Sequence, residues 1–445
     1  MLLFRLWKDI EIGRYIDFMK NTKLFLCMIC LLLSACEKKE KLEGERFDFL
    51  SSSNNNLNII KNRIANIKRV NNNVGYIPCH IYSGGNAQHD AINYSFSQNY
   101  EKLWDIDVGY GPIKSNMIIE NKKIYIVDSR GVLRCIDSKN GNTEWDIVVS
   151  HQKGENRFSG GIASNDKYIV VCSNLGEVVV VDKKMRKEIL RHDIKFPIKN
   201  TPIIYKDSVI VLTINNKVFS LDLNKKKINW QHSGNEEETI MEGANSPGLY
   251  RDNIIFSYTD GNINSLNIKD GSENWTDVLF SGDTSQSGFI ISNIVSDPVI
   301  HNNMLIVSNT ESKTVLFDVE SGIRIWENSI GTFNTPVIFE DYLFMFTNDG
   351  EIVCISMKDG SIVWHNPIKD NNQKLLIKKN KVYGPMIING KITLFGSKGD
   401  VFIVEPRDGK IIKTFNIGCS ISNTPIIVDK IMYILNERAE LYAFK

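Results

Sequence analysis

Three sets of residues in this chain carry side chains that could do chemistry. Cys27 and Cys30 form a Cys-x-x-Cys, a spacing used by thiolate metal and redox sites. Asp137, Asp182, Asp222 and Asp318 recur at one register of a repeat, and carboxylates suit Ca²⁺. The histidines are His80, His89, His151, His192, His232, His301 and His365, and His80 directly follows Cys79. Each set loses force in its context. The cysteine pair lies inside the apolar run Leu24 to Leu33, where a metal or redox site is out of place. Each of the four aspartates precedes a tight turn whose amides can donate to its carboxylate, so a structural cap is expected. No His-x-x-x-His occurs, and surface or turn histidines are expected. Gly84-Gly85 is not followed by the helix pattern that a phosphate loop needs. No nucleophile and base are linked by their spacing, so neither catalytic nor metal residues are assigned, and no cofactor is expected. The other cysteines, Cys79, Cys135, Cys172, Cys354 and Cys419, are odd in number and widely spaced, which implies no disulfide framework.

The chain has 445 residues, 42% of them apolar and 24% charged, enough for a sizeable core. Lys plus Arg total 53 against 52 for Asp plus Glu. That balance argues against a nucleic-acid partner held by phosphate neutralisation. The apolar run Leu24 to Leu33 is far shorter than the roughly 20 residues of a spanning helix. With Lys20 and Lys23 before it and Leu33-Ser34-Ala35-Cys36 after it, the run reads as a secretory signal. The tetrad resembles the bacterial lipobox, which implies cleavage before Cys36 and lipidation of that cysteine. Glu37 next to it implies sorting to the outer membrane, on its periplasmic face. Met19 stands where such signals begin. The expected organisation is a 1–18 extension, a 19–35 signal peptide, a polar tether over 36–96 and a folded domain over 97–445.

The folded part is a repeat. Asn-Thr-Pro recurs at Asn200-Thr201-Pro202, Asn334-Thr335-Pro336 and Asn423-Thr424-Pro425. A Trp follows at a fixed offset of 28 in Pro202 to Trp230, Pro247 to Trp275, Pro298 to Trp326 and Pro336 to Trp364, and again in Met117 to Trp145. Offset 14 carries Gly131, Gly176, Gly261, Gly350 and Gly399; offset 20 carries the four aspartates; offset 24 carries Gly141, Gly271, Gly322, Gly360 and Gly409. Units begin at 117, 162, 202, 247, 298, 336, 385 and 425. Within a unit, short β-branched runs alternate with Asn, Asp and Gly, the pattern of hairpins. Four strands per unit make a propeller blade. The last unit stops at Lys445, after its third strand, while a spare fourth strand, Lys102-Leu103-Trp104, precedes the first. The expected fold is all-β: an eight-bladed β-propeller of four-stranded blades, closed by pairing of the N- and C-terminal strands so that no edge is left open.

The blade phrase Asp-x-x-x-Gly-x-x-x-Trp, as in Asp137-Ser-Lys-Asn-Gly141-Asn-Thr-Glu-Trp145, resembles the PQQ-type, quinoprotein-like propeller repeat. With the lipobox, the tether, Gly84-Gly85-Asn86 and eight units, the chain resembles the BamB-type outer-membrane assembly lipoproteins over about residues 80–445 and the signal. The departures are Leu190 and Lys413 in place of Trp, and Arg186 and Lys226 in place of Gly. Quinoprotein dehydrogenases share the blades, but their adjacent Cys-Cys pair and their Cys-x-x-Cys-His are missing here.

The BamB resemblance implies a non-enzymatic scaffold that assists outer-membrane β-barrel assembly by docking the POTRA region of a BamA-like partner. The alternative is a periplasmic PQQ-dependent dehydrogenase or ligand-binding propeller. The enlarged connections follow Trp230, Trp275 and Trp364. Ile240-Met241-Glu242-Gly243-Ala244-Asn245-Ser246-Pro247 resembles a docking loop of the family, and Gly288 to Asn293 is the next candidate. The implied contact residues are Met241, Glu242, Asn245, Phe289, Ile291 and Asn293, with Glu242 standing where family members tend to be basic. Met241, Phe289 and Ile291 either project as apolar anchors or fold back onto the ring.

Overall fold

The structure, a computed structural model, describes residues 85–445 apart from 91–92, 98, 151–159, 199, 235–244, 259–260, 280–293, 311–312, 370–375 and 377–379. All of these lie in the unit Ile60–Lys445. Its regular elements form eight antiparallel four-stranded sheets. We number these blades 1 to 8 in chain order: 118–148, 162–193, 203–233, 248–278, 299–328, 337–367, 382–416, and 426–444 with Lys102–Asp107. The eighth is closed as expected. Lys102–Asp107 pairs antiparallel with Glu440–Phe444, with Trp104 opposite Ala443 and Ile106 opposite Leu441. Glu101 and Lys445 extend the ladder by exchanging backbone hydrogen bonds of 2.9 and 2.8 Å.

The burial of each strand follows from its place in the blade. The first strands of neighbouring blades approach one another and so line the axis of the ring. Second and third strands are covered on both faces by the adjacent blades, which is why they read as unbroken apolar runs such as Val178-Val179-Val180-Val181. Fourth strands alternate between exposed and half-buried, as in Thr143–Val148. Eight apolar clusters fill the interfaces between consecutive blades, and the last joins blade 8 back to blade 1 through Ile426, Tyr433, Leu441, Ile124 and Ile136. Burying large side chains between blades, at about 1.5–3 kcal/mol each, holds the ring as one body.

The repeated glycine and tryptophan meet across blades. A Cβ on Gly271, Gly322, Gly360 or Gly409 would come within 2.7 Å of the indole of Trp230, Trp275, Trp326 or Trp364 of the preceding blade. Each of those indole N–H groups donates to a backbone carbonyl of the following blade: Ile268 at 3.1 Å, Val319 at 3.1 Å, Met357 at 2.9 Å and Pro406 at 3.0 Å. The departures now make sense. Lys226 stands in place of Gly in blade 3, where the preceding blade offers Leu190, a smaller side chain than Trp. Arg186 faces Trp145, which is only half-buried. Lys413 of blade 7 faces blade 8, whose fourth strand is Lys102–Asp107 and is not joined to the third by the turn that carries the glycine elsewhere.

Backbone hydrogen bonds sort the turns onto two faces. The turn between second and third strands is tied to the connection leaving the same blade: Val149 donates to Gly131 O, Ile194 to Gly176 O, Leu279 to Gly261 O and Ile368 to Gly350 O, at 2.8–2.9 Å. On the opposite face the turns between first and second and between third and fourth strands are tied together, as in Lys183 to Lys167 O at 2.9 Å and Met357 to Asp341 O at 3.0 Å. We call these the connection face and the turn face.

Candidate functional site

The four repeated aspartates are turn caps, as expected. Asp137 accepts from the Lys139 amide at 2.9 Å, Asp182 from Met185 at 2.7 Å, Asp222 from Lys225 at 2.8 Å, and Asp318 from the Ser321 amide and hydroxyl at 2.8 Å. These amide bonds hold the carboxyls of Asp137, Asp222 and Asp318 below their usual range. The described histidines do not converge. His365 meets Glu351 at 3.0 Å and His301 meets Asp90 at 2.8 Å. His89 departs from the surface expectation: it is buried and its Nδ1 lies 2.9 Å from Pro298 O. Cys135, Cys172, Cys354 and Cys419 are free and buried. Burial pushes the thiols of Cys135 and Cys419 up to about 11.

Residues 85–90 and 93–96, the described part of the stretch expected as a tether, lie along the axial strands. Leu249 and Ile300, in the first strands of blades 4 and 5, donate to Ala87 O and Gln88 O at 2.7 and 2.9 Å. Tyr94 donates to Ile387 O at 2.8 Å and accepts from Asn389 at 2.9 Å, pairing parallel with the first strand of blade 7. The Gly390 amide donates to the Asn93 side chain at 2.8 Å. Tyr94 and Phe96 are buried in the cluster between blades 7 and 8, and Phe96 packs edge-on against Tyr100, which packs on Phe415. First strands are sheet edges with unpaired amides, and this segment satisfies some of them. The signal that could have revealed it is the alternation Asn93-Tyr94-Ser95-Phe96, a strand pattern inside a polar stretch.

The connection face carries the enlarged loops. Met241, Glu242, Phe289, Ile291 and Asn293 lie outside the described residues, as do Cys36 and Cys79. Asn245 is described, and it is buried. Its amide nitrogen bonds Ser257 Oγ and donates to Ile294 O at 3.1 Å, while its backbone carbonyl accepts from the Asn200 side chain. Next to it, the Ser246 amide donates to Asp297 Oδ1 at 2.5 Å. The end of the loop from blade 3 to blade 4 is therefore bonded to the end of the loop from blade 4 to blade 5. The described ends of these two connections thus share one hydrogen-bonded base. The apolar side chains left exposed on this face among the described residues are single and scattered: Tyr110, capped by Arg130 at 3.3 Å, Leu175 and Phe333.

Comparison with known proteins places this ring. Residues 129–366 match the family model described as outer membrane protein assembly factor BamB. An uncharacterised protein of Rickettsia prowazekii is 29% identical over 128 residues, 28% of this chain and 31% of that protein. One of Rickettsia conorii is 27% identical over 157 residues, 34% of this chain and 36% of its own. The chain thus spans about a third of the length of the curated relatives it matches. Among solved structures, BamB of Moraxella catarrhalis superposes with a TM-score of 0.66 at 17% identity, over 77% of this chain and 99% of that one. The quinohemoprotein alcohol dehydrogenase of Comamonas testosteroni gives 0.63 at 10% identity, over 87% and 84%. At those identities the superpositions establish the propeller fold. The family match spans more than half of the sequence, from the first blade to the sixth, and on that ground the chain belongs to the family of the outer membrane protein assembly factor BamB.

Proposed function

We propose that this protein is a non-enzymatic, periplasm-facing scaffold that assists insertion of outer-membrane β-barrels, held to the membrane by lipid on Cys36 and docking the POTRA region of a BamA-like partner. The observation that carries the reading is the shared base of the two loops, Asn245 to Ile294 and Ser246 to Asp297. A joint base holds neighbouring loops in one orientation before binding, which lowers the ordering cost of docking. Met241, Phe289 and Ile291 are the apolar anchors, and Glu242 and Asn293 are polar contacts at the rim. Asn245 acts through the base as a positioning residue. Two further features favour a scaffold over a dehydrogenase. The repeated carboxylates are committed to turn amides, and the chain's own Ala87, Gln88 and Tyr94 bond the axial strands.

The test replaces Met241, Phe289 and Ile291 together by Ser and measures capture of the BamA-like partner from crosslinked membranes. Capture should fall by about tenfold or more, since interface energy concentrates in a few apolar contacts, with an unchanged melting temperature. A variant that unfolds shows that these side chains belong to the core. One that folds and binds normally moves docking elsewhere. Cys36→Ser should release the intact ring from the membrane fraction, and unchanged fractionation with no acyl label on the wild type overturns the anchor.

A further inference from the structure

The turn face, opposite the proposed docking loops, separates its charges by sector. Every turn on it is among the described residues. Blades 1 to 3 present Lys122, Lys139, Lys184, Arg186, Lys206 and Lys226, all exposed, which outnumber the exposed carboxylates Asp166 and Asp207 on the same turns. Blades 5 and 6 present Glu320, Glu340, Asp341 and Asp359, also exposed. The sectors differ in shape as well. At the tip of the blade 2 turn Met185 is 54% exposed, flanked by Lys184 and Arg186. At blade 6, walled on one side by Met304 of blade 5, a cavity of about 710 Å³ opens among the turns, lined by apolar Met304, Met357 and Ile362 together with Asp341 and Asp359; Lys358 also lies on its wall. A methionine between two cations thus stands on one side of the ring, and an apolar cavity with carboxylates stands on the other.

Blades 2 and 6 are four apart in a ring of eight and so lie diametrically opposed. A two-fold axis in the plane of the ring, running through blades 4 and 8, exchanges blade 2 with blade 6 and blade 3 with blade 5. We propose that the turn face is a self-association surface. A second copy, turned over about that axis, seats Lys184-Met185-Arg186 in the blade 6 cavity and receives the first copy's turn in its own. One rotation makes both contacts, the requirement of a closed isologous dimer. It sets basic blades 2 and 3 on acidic blades 6 and 5, whereas the same faces stacked in register would oppose like charges. Methionine suits such a cavity because its unbranched, polarizable side chain adapts to irregular walls. The proposal is independent of the docking reading, because it leaves both connection faces free.

Sedimentation velocity of the full-length chain in mild detergent tests it. A dimer is expected at about 0.1 M salt, weakening by about tenfold or more toward about 1 M, where the Debye length falls from about 10 to about 3 Å. Lys184→Glu with Arg186→Glu should give monomer, and so should Glu340→Lys with Asp341→Lys. Mixing these two variants should restore a heterodimer, because each of its two contacts again pairs opposite charges. Met185→Ser, which changes no charge, should weaken the dimer while leaving its salt dependence. A wild-type chain that stays monomeric overturns the proposal, including one that instead binds vesicles of anionic lipid. So does a dimer that survives both reversals, or a mixture of the two variants that remains monomeric.

Discussion

Trp104, from the strand that precedes the first blade, lies on Gly141 of blade 1, where an added Cβ would sit 3.0 Å from the indole Cε3. This is the same contact that Trp275 makes with Gly322, yet here it joins the two ends of the ring. One detail differs. The carbonyl that would receive the Trp104 N–H belongs to Ser138, and the Tyr433 hydroxyl already donates to it at 3.2 Å. Trp104 Nε1 is buried without a hydrogen-bond partner.

That difference separates two conservative substitutions. Trp275→Phe strands the Val319 carbonyl, so beyond the lost area it should cost about 0.5–1.5 kcal/mol for the hydrogen bond. Trp104→Phe removes a donor that bonds nothing and should cost less. Urea unfolding of the two variants checks the order, and an equal or larger loss at Trp104 contradicts the closure geometry.

The glycine register makes a second comparison. Gly322 combines φ +70° with an indole 2.5 Å from a prospective Cβ. Gly322→Ala should destabilise the ring by about 1–3 kcal/mol through overpacking. Lys226 occupies the same register at φ 56° opposite Leu190, and Lys226→Ala should stay within about 0.5 kcal/mol. Thermal unfolding would show both.

The axial segment should respond to pH. The hydrogen bond that His301 donates to the Asp90 carboxylate raises the imidazole pKa against the opposing effect of burial. The ion pair therefore contributes fully below the ordinary imidazole value of about 6.5 and is lost as pH rises through the higher folded value. Hydrogen exchange at the amides of Tyr94 and Ile300, corrected for intrinsic rate, should be slowest under mildly acidic conditions. His301→Gln should remove that dependence; a flat wild-type profile counts against the pair.

The described thiols should be silent. Desolvation raises Cys135, Cys172, Cys354 and Cys419, and all four are buried. Alkylation should be slow in buffer and complete in urea, because only the exposed thiolate reacts. A Cys135–Cys354 bridge found by mass spectrometry would overturn the blade register.

The repeat alone determined a great deal. Fixed offsets between Pro, Asp, Gly and Trp set the number of blades, the four strands of each and the turns that Asp137, Asp222 and Asp318 cap, because strands and tight turns are built from neighbours in the chain. The spare Lys102-Leu103-Trp104 and the missing last strand foretold closure, since an open edge exposes unpaired amides. What periodicity could not record are contacts between residues with no common register. These include Ala87 on Leu249, Tyr94 beside Ile388, Tyr433 on Ser138, and the Asn245 amide on Ile294. The opposition of Met185 to the blade 6 cavity belongs with them. Blades that are remote in sequence become partners or opposites only when the ring closes, so tertiary structure alone decided which surfaces face one another.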